Sequence, residues 1–92
     1  MIKKFKHKGL EKLFFSGSSA GIQPAHKDKL RIQLAMLEAA EVLQDMDKPG
    51  WSLHPLKGNR AGQWAVSVGG NWRLTFEFRD GHAYRVNYED YH

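Results

Sequence analysis

The sequence predicts an α+β domain in which two helices pack on one face of an antiparallel sheet. Three observations predict it: apolar residues recur at helical spacing in the first half, they alternate with a period of two in the second half, and glycine-containing pairs separate the alternating stretches. A chain of 92 residues with 41% hydrophobic and 26% charged residues has the size and balance of one folded unit. Residues 1–92 are therefore predicted to form a single domain.

The first half of the chain predicts a short strand followed by two helices. The segment Ile2 to Phe5 alternates weakly, and its lysines suit the edge of a sheet. A first helix is expected from Lys6 to Phe15, with Gly17 as its stop. A second, longer helix is expected from Pro24 to Met46, because proline favours the first turn of a helix.

Two apolar stripes run along the second predicted helix. The broad stripe should cover the sheet, and the narrow stripe should pack against the first helix in preference to binding a partner. The broad stripe comprises Ile32, Ala35, Met36, Ala39, Val42, Leu43 and Met46, and the narrow stripe comprises Leu30, Leu34 and Leu37.

The second half predicts three strands joined by hairpin turns at Gly69–Gly70 and Asp80–Gly81, so the order is β-α-α-β-β-β. In the last strand, alternation assigns His82, Tyr84, Val86 and Tyr88 to one face, after which the chain should turn out of the sheet. The open face of the sheet should be polar, which suits either ordinary solvated surface or the floor of an RNA site. Its predicted residues are Ser67, Arg73, Thr75, Glu77, Arg85 and Asn87.

The charge balance favours a polyanionic partner. Lys and Arg total 14 against 10 Asp and Glu, which gives a net charge of +4. An excess of this size is also compatible with mere solubility. The chain has no cysteine, which excludes disulfides and thiol catalysis, and no apolar run long enough to span a membrane. No signal-peptide pattern follows the basic N-terminus, so a cytoplasmic location is expected.

Few side chains are suited to catalysis. His7 and His26 have lysine neighbours and are interpreted as solvated, while His54 and His92 lie in irregular segments flanking the sheet. Cleavage of an RNA phosphodiester requires a proton acceptor, a proton donor and stabilisation of extra charge on phosphorus. Histidine can serve the first two needs near neutral pH, and lysine or arginine the third. The residues that could form such a set are His54, Lys57, Arg73, Asp90 and His92, with Tyr91 able to stack on a base.

Other chemistries are weaker alternatives. Asp90, His54 and His92 could form an Asp/His metal site, although they lack a compact spaced motif. No phosphate-binding glycine loop, nucleophile elbow or dinucleotide fingerprint is present. From the residues alone, a metal-independent ribonuclease, a metal-dependent nuclease, a non-catalytic RNA-binding module and a protein-interaction domain all stay open.

Four segments in the same order resemble the HigB toxins of the RelE-like toxin–antitoxin superfamily: "FKHKGL", "LHPLKGNRAGQW", "NWRLTFEF" with its "DG" turn, and "NYEDYH". The resemblance extends over essentially the whole chain. It implies a RelE-like α+β fold and an endoribonuclease that enters the ribosomal A site and cleaves mRNA there by attack of the 2′-hydroxyl, without a metal or other cofactor. It also implies inhibition of translation and growth.

The resemblance implies roles for single residues. His54 and Lys57 match the loop motif, Arg73 matches the arginine of "NWR", and the terminal "DYH" matches Asp90, Tyr91 and His92. Asn71 matches a position associated with reading the base. RNA contacts are further expected from Arg60 and from the N-terminal lysines Lys3, Lys4, Lys6 and Lys8.

The partners that the resemblance implies are a HigA-like helix-turn-helix antitoxin, the ribosome with its rRNA, and mRNA. Operator DNA would be contacted only through the antitoxin, and no membrane is involved.

Overall fold

The computed structural model describes residues 1–90; Tyr91 and His92 lie outside the described residues. Four antiparallel strands form one sheet in the order β1-β2-β3-β4, and two helices precede them in the chain. The elements are α1 (Lys8–Ser16), α2 (Lys27–Ala39), β1 (His54–Pro55), β2 (Gln63–Gly69), β3 (Trp72–Arg79) and β4 (His82–Asp90). The predicted α+β class is confirmed.

The predicted stop of the first helix at Gly17 is confirmed, but α1 begins at Lys8, two residues later than predicted. The His7 side chain caps the start of α1, because its Nδ1 accepts a hydrogen bond of 3.1 Å from the backbone N–H of Leu10. Gly17 ends the helix in the left-handed conformation, with φ of 77°, which glycine adopts without steric cost. His7 is half-buried, so its prediction as a solvated side chain was wrong.

The single long helix predicted from Pro24 to Met46 was wrong. A 3₁₀ turn at Pro24–His26 leads into α2, and the backbone leaves the helix at Ala40 with ψ of 131°. A second 3₁₀ turn follows at Leu43–Met46. The Asp45 carboxylate accepts hydrogen bonds from the backbone N–H groups of Glu41 and Val42 at 2.9 and 3.2 Å. These bonds stabilise a separate turn in place of continued helix.

The predicted cover of the sheet by the broad stripe was wrong, since only Met46 of that stripe is fully buried. Ile32 and Val42, from the broad stripe, are 58% and 53% exposed. The narrow stripe lies in the core together with Leu10 and Leu13 of α1, which confirms its predicted packing against the first helix. The residues of α2 that are fully or almost fully buried are Leu30, Gln33, Leu34 and Leu37.

The N-terminal segment adds to the outer edge of β4 as two parallel bridges, Ile2 to Ala83 and Phe5 to Val86, and not as a regular strand. The backbone N–H of Lys3 donates to the carbonyl of Ala83 at 2.7 Å. This segment therefore lies at the edge of the sheet opposite to β1.

A β-bulge in β4 overturns the predicted alternation of the last strand. Thr75 pairs with Asn87 but Glu77 pairs with Tyr84, so β4 contains one extra residue between these pairs. Arg85 lies at this bulge and has a positive φ of 52°. As a result Ala83, Val86 and Tyr88 are buried, whereas His82 and Tyr84 lie on the opposite face. The strand also continues to Asp90, so the chain does not turn out of the sheet after Asn87 as predicted.

The predicted hairpins are confirmed: Gly70, Asp80 and Gly81 all have positive φ, as tight hairpin turns require. One apolar core lies between the sheet and the helices, with Phe76 as its largest fully buried side chain. No helix among residues 1–90 is long and apolar enough to cross a membrane.

Candidate active site

The face of the sheet that points away from the helices carries two of the predicted site residues. Because side chains of paired residues in an antiparallel sheet point to the same face, the strand register identifies its members. One row is His54, Ala65, Thr75 and Asn87, and the next row is Ser67, Arg73 and Glu89. The structure therefore brings the predicted residues His54, in β1, and Arg73, in β3, to one face of the sheet.

His54 lies in β1, the short edge strand after the Ser52 turn. Its Nδ1 is 2.8 Å from the carbonyl oxygen of Ser52, and a carbonyl can only accept, so Nδ1 carries the hydrogen. The other ring nitrogen, Nε2, is thereby left as an acceptor. The antiparallel pairing of His54 with Ala65 holds the backbone of this residue against β2. A ring with a fixed tautomer on an accessible edge strand is suited to proton transfer.

Lys57 lies in the exposed loop between β1 and β2. The backbone N–H of Leu56 donates to the carbonyl of Gln63 at 2.9 Å, and the buried Leu56 side chain anchors the loop. Lys57 is exposed directly after that anchor, at the start of the 3₁₀ turn Gly58–Arg60. Its ammonium group can therefore reach solvent near the strand that carries His54.

Asn71 lies in the turn between β2 and β3, and Arg73 is the second residue of β3. The Nη1 of Arg73 donates to the carbonyl oxygens of Gly70 and Trp72 at 2.9 and 3.0 Å. The guanidinium is thus held against the turn that exposes Asn71. The Arg73 guanidinium and the exposed Asn71 therefore lie at the same end of the sheet.

The structure also reveals a polar cluster that sequence reasoning missed. Arg60 donates from Nη1 and Nη2 to the two carboxylate oxygens of Glu89 at 2.8 and 2.6 Å. The hydroxyl of Thr75 donates to Glu89 Oε2 at 2.5 Å, and the same Nη2 of Arg60 donates to Gln63 Oε1 at 2.8 Å. Alternation could have identified Glu89, which lies two residues after Asn87 and therefore on the same face.

This cluster strongly perturbs the acidity of Glu89. The hydrogen bonds from Arg60 are the largest cause and lower its pKa to about 2; burial acts in the opposite direction, and the Thr75 hydroxyl adds to the lowering. Glu89 therefore stays ionised throughout the neutral range. Arg60, predicted as an RNA contact, has much of its charge neutralised by this carboxylate.

Asp90 lies at the end of β4, where it pairs with Trp72 and is exposed. It follows Glu89 directly, so alternation places it on the opposite side of the strand from Glu89, at the rim of the sheet. The predicted site residues Tyr91 and His92 continue from this point and lie outside the described residues. The pairing with Trp72 brings the end of β4 next to the start of β3, which carries Arg73. Asp90 itself does not lie on the sheet face that carries His54.

The lysines at the N-terminus form a separate basic surface. Lys3, Lys4, Lys6 and Lys8 are all exposed and line the segment beside the outer edge of β4. Among residues 1–90, no group of three His, Asp or Glu side chains converges as a metal site. His92, which the metal alternative requires, lies outside the described residues.

The fold and the polar open face define a small α+β protein with a RelE-like architecture. A crystal structure of a point mutant of YafQ from E. coli superposes with a TM-score of 0.59, covering 95% of this chain and 90% of that one at 16% identity. At that identity the likeness shows the fold alone.

Residues 3–92 match the profile of the HigB-like toxins, described as RelE-like toxins of type II toxin–antitoxin systems. A relative from Proteus vulgaris, Endoribonuclease HigB, is 45% identical over 92 residues and covers all of both chains. The chain belongs to the HigB-like toxin family, as its four sequence segments predicted.

Proposed function

We propose that this toxin is an endoribonuclease that cleaves mRNA in the ribosomal A site by acid–base chemistry and without a metal. Its 45% identity to Endoribonuclease HigB over the whole of both chains supports the activity. The observation that carries the mechanism is the fixed imidazole of His54, on the sheet face that also bears Arg73.

The reaction is an attack of the 2′-hydroxyl oxygen on the adjacent phosphorus. The 2′-oxygen loses its proton and forms a bond to phosphorus, while the bond to the 5′-oxygen breaks and that oxygen gains a proton. The products are a 2′,3′-cyclic phosphate and a 5′-hydroxyl, so no water or redox partner is consumed. Asp90 or His92 accepts the first proton and His54 is the other proton-transfer partner.

The remaining residues stabilise and orient the substrate. Lys57 and Arg73 offset the negative charge that develops on the phosphoryl oxygens. Tyr91 stacks on a base, and Asn71 contacts the base from the exposed turn. The groups come from the loop after β1, the β2–β3 turn and the end of β4, so cleavage depends on the relative positions of these three segments.

We infer a cytoplasmic setting with the ribosome and mRNA as targets. The toxin is neutralised by a HigA-like helix-turn-helix antitoxin, through which the complex reaches operator DNA. Membership in a type II toxin family supports an antitoxin partner.

Primer extension on a translated message tests the proposal, with wild type compared to His92→Ala, Asp90→Ala and His54→Gln. We expect cleavage with 2′,3′-cyclic phosphate ends from wild type, unaffected when the purified toxin is treated with EDTA and freed of it before ribosomes are added. Each variant should lose about 10²–10⁴-fold in activity. Full activity of all three variants would refute the residue assignment. Loss of activity with EDTA would indicate a metal-dependent nuclease. RNA that is bound but left intact by wild type would identify a non-catalytic ribosome-binding module.

A further inference from the structure

The pairing of Arg60 with Glu89 joins two segments that are far apart in the chain. Arg60 ends the 3₁₀ turn within the β1–β2 loop, which carries Lys57 and directly follows the strand of His54. Glu89 immediately precedes Asp90 at the end of β4. Two parallel hydrogen bonds of 2.8 and 2.6 Å connect the guanidinium to both carboxylate oxygens. The two halves of the proposed active site are therefore tied together directly by side chains.

The partners of this pair are themselves fixed by the sheet. Thr75, in the central strand β3, is fully buried and donates its hydroxyl hydrogen to Glu89. Gln63, at the start of β2, accepts a hydrogen bond from Arg60. A bidentate charge-assisted pair with further hydrogen bonds at both ends permits one relative placement of the segments it joins.

We propose that Glu89 is a positioning residue for RNA cleavage. Its carboxylate holds Arg60, and thereby fixes the loop that bears Lys57 and follows His54 relative to the end of β4 at Asp90. This inference rests on the proposed function. It also assigns Arg60 to the internal pair and not to RNA.

A second carboxylate in the same sheet offers a matched comparison. In β3, Glu77 Oε1 lies 3.6 Å from Nη2 of Arg79, and Glu77 Oε2 lies 3.7 Å from Nη1 of Arg85. Both of those arginine side chains are more than half exposed. Such long, solvated contacts restrict their partners little. Glu77→Gln therefore removes a carboxylate from this sheet while the Arg60–Glu89 pair is retained.

The decisive comparison is the cleavage rate of Glu89→Gln at saturating and at limiting ribosome concentration. Because a small displacement of reacting groups reduces rates strongly, we expect a roughly 10- to 100-fold lower rate constant at saturation. The half-saturating concentration should stay within about twofold of wild type, since the residues that bind RNA are retained. Glu77→Gln should cleave like wild type.

The Arg60→Gln variant and the double variant with Glu89→Gln test whether the two residues act as one unit. If they do, the double variant should be no slower than the slower single variant, because the same interaction is lost in each case. Additive losses would mean that Arg60 acts separately, through contact with RNA, and would overturn its assignment to the internal pair.

The pH profile separates positioning from proton transfer. A positioning role lowers the rate equally at every pH and leaves the profile's shape unchanged. If Glu89→Gln removed a limb of the profile, Glu89 would be a proton-transfer group and the proposal would be wrong. Wild-type rates in Glu89→Gln would equally refute it.

Amide hydrogen exchange tests the pair without RNA. The backbone N–H groups of Leu56 and Arg60, which donate within the loop to Gln63 and Lys57, should exchange faster in Glu89→Gln but not in Glu77→Gln. Unchanged exchange would show that the Arg60–Glu89 pair does not restrain the loop, whether or not wild type cleaves RNA. A wild type that is inactive on RNA would refute only the proposed function. If Glu89→Gln does not fold, Thr75→Val removes one hydrogen bond from Glu89 and should give smaller changes in the same direction.

Discussion

The imidazole of His26 and the hydroxyl of Tyr88 form a hydrogen bond of 2.6 Å that joins the turn before α2 to the core face of β4. Burial raises the pKa of Tyr88, so the phenol stays protonated at neutral pH. Tyr88 also stacks on Trp72, with ring centroids 4.4 Å apart. His26, which the sequence indicated to be solvated, is therefore part of the packing beneath the end of β4.

Replacing Tyr88 with phenylalanine should remove this hydrogen bond while keeping the ring. We expect the free energy of unfolding to fall by about 1 kcal/mol in urea denaturation, because the part-buried Nδ1 of His26 loses its hydrogen-bond partner. Tyr84→Phe is the control, since the Tyr84 ring lies on the other face and contacts the guanidinium of Arg79 at 4.0 Å. Equal losses in the two variants would contradict a specific role for the His26–Tyr88 bond.

The cap of α1 should make stability depend on pH near neutrality. His7 accepts from Leu10 only while its Nδ1 is unprotonated, and burial lowers its pKa below the usual 6.5. The unfolded chain therefore binds the proton more readily, so the stabilisation is complete above pH 6.5 and is lost as the pH falls below that value. His7→Ala should cost about 1 kcal/mol at roughly pH 7.5.

His7→Asn provides the matched control for this pH effect. Asparagine is a good N-cap but does not titrate, so it should retain most of the stability at about pH 7.5. The difference between wild type and His7→Asn, followed by denaturation from about pH 7.5 to about pH 5.5, isolates the imidazole from the other histidines. A difference that stays constant over this range would show that protonation of His7 does not weaken the cap.

The fold could be predicted where local residue chemistry determines it. Gly17 and the Asp80–Gly81 turn were correctly identified because positive φ has a clear residue preference. The end of α2 could not be predicted in this way, because Ala40 is a strong helix former. The turn that follows is stabilised instead by the side chain of Asp45. The bulge at Arg85 likewise places a residue without a turn preference at positive φ, because of packing around it.

The site was predictable in its residue types more than in its connections. The motif residues His54 and Arg73 do share a face of the sheet, as expected for a common substrate. The contact between Arg60 and Glu89 depends on the register of all four strands, which periodicity does not specify. Sequence reasoning therefore assigned Arg60 to RNA and overlooked its internal partner.

Acid should weaken the structure through Glu89. Its pKa is about 2 in the folded chain against an ordinary 4.5, so its contribution is complete above pH 4.5 and disappears as the pH falls toward 2. The contribution is roughly 1–3 kcal/mol, and Glu89→Gln should lose it at neutral pH. Urea denaturation of both proteins from about pH 7 to about pH 2 should show their difference in unfolding free energy shrinking as the pH falls. A difference independent of pH would contradict an ionic role for Glu89.

The N-terminal lysines should govern attachment to the ribosome independently of cleavage. Lys3 and Lys4 are exposed beside the outer edge of β4, at the opposite side of the sheet from the strand that carries His54. If they contact rRNA phosphates, affinity should fall steeply as salt rises, since each contact releases bound counterions. The double variant Lys3→Gln/Lys4→Gln should reduce the slope of log affinity against log salt by about two. Its cleavage rate constant at saturating ribosome should stay at the wild-type value, because the groups that perform the chemistry are retained.

Lys48→Gln, a single charge removed from the segment after the second 3₁₀ turn, controls for net charge and should leave the slope nearly unchanged. If the wild-type affinity is insensitive to salt between roughly 50 and 200 mM, the range over which phosphate contacts are strongly weakened, these lysines serve solubility and do not bind rRNA.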